Sequence, residues 1–150
     1  MVDQLPEELR ALKTQMKSFI NDVVVPREPE LMSEDANADL VAEELKENAK
    51  KIGLWALGHP SEIGGGGLPF MDFVYLNEVI GRSHWGQWAV GSLSMQDSIM
   101  LHLYASDEQR ERFLTPLVAG EIYPSVGLTE PEVAGSDPTQ MQTTAVLDGD

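Results

Sequence analysis

Leu5, Leu9, Leu12, Met16, Phe19 and Val23 recur at spacings of four and three residues, one face of an amphipathic helix. Pro6 falls in its first turn, where a missing N–H costs nothing, and Pro26 and Pro29 predict its end. A second helix is predicted over about 39–52, with Val41, Leu45, Ala49 and Ile52 on one side. Lys50 and Lys51 suit the negative end of its dipole, and Gly53 can close it in the left-handed conformation. Residues 54–68 read as a loop, and Pro69 opens a third helix that reaches about Arg82 and turns Phe73, Leu76 and Ile80 inward. Residues 85–104 predict a fourth helix with Trp88, Met95, Ile99 and Leu103 buried, its start weakened by Gly86 and Gly91. Ser106-Asp107-Glu108-Gln109 is a capping-box pattern opening a fifth helix that carries Phe113, Leu114 and Leu117; Pro116 and Gly120 make its end irregular.

Beyond Gly120 the pattern changes. Residues 125–129 and 143–147 favour strands, and Asp148-Gly149 is a two-residue hairpin signal with only Asp150 after it. The second hairpin strand is missing, so the chain is expected to be the first part of a longer protein, or to be completed by a separate chain. The predicted fold is mainly α: an up-and-down helical domain over 1–121, then the first strands of an incomplete β-domain over 122–150.

Composition narrows the function. The formal charge of -15 repels phosphate, which disfavours a nucleic-acid or anionic-membrane partner. The absence of cysteine removes disulfides, thiolate catalysis and Cys-based zinc sites. The acidic opening MVDQLPEELR lacks the apolar core of a secretory signal, and no stretch approaches the roughly 20 apolar residues of a membrane span. A cytoplasmic protein is the expectation.

Most candidate chemistry has a plainer explanation. Gly64, Gly65, Gly66 and Gly67 are followed by Leu68-Pro69 rather than the Lys-Ser or Lys-Thr of a phosphate loop, and no strand precedes them, so a flexible interhelical turn is the reading. His59, His84 and His102 form no ligand spacing and read as solvent-facing or packing residues; no metal site is expected. The helical carboxylates, Glu43, Glu44, Glu47, Asp107, Glu108 and Glu111, read as solvated faces, and no catalytic base can be nominated. Trp85 and Trp88 suit the core, or a stacking platform, and Met95 and Met100 suit a pliable core or an adaptable apolar pocket.

The run TEPEVAGSD, residues 129–137, differs. Thr129 follows an apolar segment, Pro131 fixes the exit direction, Gly135 permits close backbone approach, and Ser136 offers both N–H and hydroxyl. Those features fit an anion or polar-cofactor loop; they equally fit a structured β-turn.

With Thr129-Glu130-Pro131, Glu132-Val133 and Ala134-Gly135-Ser136-Asp137, the run resembles the signature of the acyl-CoA dehydrogenase family, one residue longer than the commonest spacing. The resemblance extends to the glycine-rich turn ending in Leu68, to Asn77-Glu78 before Val79-Ile80-Gly81-Arg82, and to the segment from Ser106 to Gly120. It implies FAD held between the helical domain, a β-domain and a C-terminal helical domain. It puts Val126, Leu128 and Thr129 beside the isoalloxazine ring, Gly135 and Ser136 at the pyrophosphate, and Ser136 near acyl-CoA. Ser92, Leu93, Ser94 and Met95 would wall the acyl chain. It also implies fatty-acid β-oxidation chemistry, an electron-transfer acceptor and a homo-oligomer in the complete protein. The family's carboxylate base lies in its C-terminal domain, and no residue here matches it, so this chain alone is expected to be inactive. The competing readings are a non-catalytic helical interaction or regulatory module, or one half of a split enzyme; a flavin oxidase differs chiefly in oxygen access.

Overall fold

The computed structural model describes residues 5–33 and 35–149. Helix α1 (Glu7–Ser18) buries Leu9 and Met16 and passes without interruption into a π segment (Phe19–Val24), a 3-10 turn (Val25–Arg27) and the short α2 (Glu28–Leu31). Pro26 and Pro29 therefore do not stop it. The Val25 N–H bonds to the Ile20 carbonyl, five residues back, and each proline falls in the first turn of the next segment, where no N–H is required. Phe19, Ile20 and Val24 join the main core together with Met16.

Helix α3 (Ala36–Lys51) starts earlier than its apolar pattern suggests because Asp35 caps it, accepting from the N–H groups of Asn37 and Ala38 at 2.9 and 3.0 Å. Val41, Leu45 and Ala49 face the core as predicted, whereas Ile52 lies past the last turn and is exposed. Helix α4 (Phe70–Ile80) packs along α1 and contributes Phe73, Leu76, Val79 and Ile80. Burying side chains of this size contributes about 1.5–3 kcal/mol each.

The predicted fourth helix is two helices, α5 (Gly86–Ala89) and α6 (Met95–Tyr104). Gly91 breaks it with φ of +69°, and a Cβ there would stand 2.7 Å from the Trp55 ring. Ser98 is the fully buried residue of α6; Met95 and Ile99 are half-buried, and Leu103, expected inside, is 59% exposed. The capping box at Ser106 and Gln109 is complete. It opens α7 (Asp107–Gln109), which continues through a π segment (Arg110–Leu114) into α8 (Thr115–Ala119). The wide turn redirects the helix face, so Leu114 and Leu117 are buried and Phe113 is exposed. A second, smaller cluster forms from Ala56, Leu114 and Val118, and Trp55 packs against both clusters.

The loop over 54–68 is a knot of hydrogen bonds rather than a flexible turn. The Ala56 carbonyl accepts from the N–H groups of His59 and Gly66, the His59 carbonyl from Gly67, and the Leu57 carbonyl from Leu68. A Cβ on Gly65 would meet the His59 carbonyl oxygen at 2.3 Å, so the tight crossing demands glycine.

Residues 121–149 hold no strand among the described residues, only a 3-10 turn (Pro138–Gln140). The segments 125–129 and 143–147 hold no regular structure and no ladder partner among the described residues, and Asp148-Gly149 turns no hairpin there. Strand propensity is realised by ladder partners, which neither segment has here. No helix among the described residues is long and apolar enough to cross a membrane.

Candidate functional site

The helices end at a junction centred on Trp55. Its indole N–H donates to the Val118 carbonyl at 2.9 Å. Gly91 and Gly120 press on the ring; a Cβ on either would lie 2.7 or 2.6 Å from it, and both have left-handed backbones. The crevice between Trp55, Trp88, Leu93, Ser94, Ile122 and Tyr123 has an interior volume of only ≈ 10 Å³, about one water's room. Trp88 and Tyr123 stack with centroids 6.0 Å apart at 27°, and Trp85 meets Trp88 edge-on. Trp85 and Trp88 are both half-buried, and with Tyr123 they also border a wider open cleft of about 450 Å³ beside Leu31, Ala38, Asp39, Ala42 and Glu43.

Lys46 binds this junction together. It lies on the buried arc of α3, four residues after Ala42 and three before Ala49. Its ammonium donates to the Gly120 carbonyl at 2.8 Å and the Tyr123 hydroxyl at 2.9 Å, and pairs with Glu43 at 2.5 Å. It also lies 5.4 Å from the ring centroids of both Trp88 and Tyr123. Burial works to lower its pKa, but the bonds to Glu43 and Tyr123 outweigh it and hold the ammonium above its ordinary value. Sequence reading passed over Lys46. Its signal was a lysine within a buried helical stripe, with a carboxylate one turn earlier.

Residues 126–137 leave the junction into solvent. Val126 is 78% exposed, and Leu128, Thr129 and Ser136 are exposed too. Gly135 folds back over the start of the run, so that a Cβ on it would lie 3.5 Å from the Leu128 carbonyl oxygen and 4.0 Å from the Thr129 Cα. Leu128, Thr129 and Gly135 are thereby brought together, with Ser136 next in the chain. The N–H groups of Thr129, Gly135 and Ser136 bond to no other described residue. Met95 stands apart in the main core, its sulfur beside Gly58, where Phe73 also packs. Leu93 and Ser94 line the junction crevice.

Two carboxylates hold the run in shape. Glu130 accepts from the backbone N–H groups of Gln142 and Thr143 at 2.9 and 2.8 Å, closing residues 130–143 into a loop. The Thr143 side chain and those amides hold its pKa below the usual range. Asp137 accepts from the Thr139 hydroxyl at 2.6 Å, the Thr139 N–H and the Gln140 amide, and its pKa is lowered, chiefly by the Thr139 side chain. Sequence reading did not foresee these roles, since no spacing rule links positions 130 and 142. An extended diphosphate cofactor requires free donors beside apolar surface. The run provides amides and hydroxyls without other described partners at Thr129, Gly135 and Ser136 next to exposed Val126 and Leu128, a donor set that could hold the polar and apolar parts of such a cofactor.

A helical domain feeding such a loop defines a recognisable class. Residues 6–121 match the family model described as acyl-CoA dehydrogenase, N-terminal domain, and the chain belongs to the acyl-CoA dehydrogenase family. Mouse acyl-CoA dehydrogenase family member 10 is 35% identical, the match covering 92% of this chain and 14% of the mouse protein. The (2S)-methylsuccinyl-CoA dehydrogenase of Cereibacter sphaeroides is 34% identical, over 97% of this chain and 26% of its own. A solved Mycobacterium abscessus structure, described as a candidate acyl-CoA dehydrogenase, superposes with a TM-score of 0.84 at 32% identity, covering 97% of this chain and 40% of its own. The chain therefore spans less than half the length of each of these relatives.

Proposed function

We propose that this chain is the N-terminal portion of an FAD-dependent acyl-CoA dehydrogenase, which removes hydrogen across the α,β bond of an acyl-CoA thioester. The observation that carries the proposal is the loop at 128–136: its amides are open, its glycine lies close to Thr129, and carboxylate bonds at Glu130 and Asp137 shape it. On this reading residues 122–150 open a β-domain, and 125–129 and 143–147 become strands when partners are present. Val126, Leu128 and Thr129 lie beside the flavin ring, and Gly135 and Ser136 approach its pyrophosphate. Ser136 also reaches toward acyl-CoA, with Met95 behind the acyl chain's wall at Leu93 and Ser94. Bound flavin supplies the hydride acceptor. The residues here orient it and donate hydrogen bonds to its polar edges. No side chain of this chain is assigned as the base, so the chain by itself is inactive. Further features of this reading are a homo-oligomer, an electron-transfer acceptor, a role in fatty-acid β-oxidation and a cytoplasmic location.

The test is the intact mass and visible spectrum of the native protein, with acyl-CoA turnover measured for it and for the 150-residue chain. A flavin band on an assembly far heavier than 16.5 kDa, active with acyl-CoA while the short chain is inert, is expected. A flavin-free protein of 16.5 kDa would favour a non-catalytic interaction module. Turnover by the short chain alone would overturn its assigned incompetence.

A further inference from the structure

We infer that Lys46 is a positioning residue that latches the chain's exit from the helical domain, and so sets where the loop at 128–136 sits. An ammonium has three donors, and Lys46 has three acceptors: the Gly120 carbonyl, the Tyr123 hydroxyl and the Glu43 carboxylate. Two of the three lie 74 and 77 residues away, on the stretch where the last helix ends and the irregular tail starts. Tyr123 is also held by stacking on Trp88, so cation and rings form one clasp.

Gly120 and Ile122 also pack beside Trp55, but hydrogen bonds from this stretch to the helices are few. Past the bond from the Glu121 N–H to the Pro116 carbonyl, no hydrogen bond among the described residues ties 122–129 to the helices except the one at Tyr123. Glu43, itself largely exposed, holds the ammonium on its solvent side. The clasp thus gives the chain a defined direction as it leaves the helices. Its consequence for the flavin rests on the function proposed above; the clasp itself does not.

The test uses Lys46→Met and the milder Tyr123→Phe, in this chain and in the native protein. Amide exchange is read at Gly120 and Glu121, whose N–H groups are hydrogen-bonded, and at Leu76 and Ile80 as core controls. Lys46→Met is expected to speed exchange at 120–121 by about tenfold or more with the α4 amides unchanged, and Tyr123→Phe to do so by a smaller factor. Unchanged exchange at 120–121, or equal acceleration in α4, would overturn the latch and leave Lys46 an ordinary buried group. FAD retention in the native protein is measured alongside and is expected to weaken about tenfold in Lys46→Met. Faster exchange with undiminished FAD retention keeps the latch and removes the flavin seat.

Discussion

His59 is fully buried, and its Nε2 lies 3.3 Å from the Ser94 hydroxyl. Burial pushes its pKa below the ordinary value, against a smaller opposing effect from the Ala56 backbone bond. The unfolded chain takes up this proton at about pH 6.5, and the folded one only at lower pH. Stability from His59 is thus complete above about pH 6.5 and is lost as pH falls toward the folded value. Urea midpoints measured between pH 7.5 and 5.5 should fall for the native sequence and fall less for His59→Gln; equal falls would place the effect elsewhere. Gly120→Ala tests the other sharp constraint. A Cβ 2.6 Å from Trp55, at φ of +75°, should cost about 2–4 kcal/mol in denaturant unfolding. Residue roles of this kind were only partly legible. The glycines announced special turns, and Lys46 showed only its place on the apolar stripe of α3; nothing in the sequence told His59 from a solvated histidine, because burial was decided by segments tens of residues away.

At the scale of elements, periodicity located the helices and misjudged their interruptions. Phe73, Leu76 and Ile80 on α4, and Val41, Leu45 and Ala49 on α3, lie inward as their spacing requires. The capping box at Ser106 forms as read, because it is a contact within four residues. Ser106→Ala should cost about 1 kcal/mol, seen as a lower urea midpoint with an unchanged slope. The breaks were not legible. The helix continues past Pro26 because a π turn shifts its pairing, and residues 90–94 leave the helix where Gly91 makes room for Trp55. Both are tertiary outcomes, and local propensity carries no trace of them.

For the whole molecule, the change of pattern at Gly120 was legible, but the conformation of the tail beyond it was not. The strand-forming pattern is present at 125–129 and 143–147, yet pairing depends on neighbours that the described residues do not include. Val126, Leu128, Val146 and Leu147 are left exposed. The candidate loop was legible as a composition and a family signature. Its bracing by Glu130 was not, since that contact spans twelve residues of irregular chain. Glu130→Ala should raise exchange at the Gln142 and Thr143 amides several-fold while leaving the melting temperature of the helices unmoved.

Trp55 belongs to both apolar clusters at once, and this bears on cooperativity. A ring shared between two cores makes each a condition of the other, so the helical part should melt as one unit, with calorimetric and van't Hoff enthalpies in agreement. Trp55→Ala, costing about 3–5 kcal/mol, should separate that transition into two, the lower one belonging to the small cluster around Leu114 and Val118. A single sharp transition in the variant would mean that some other contact carries the coupling.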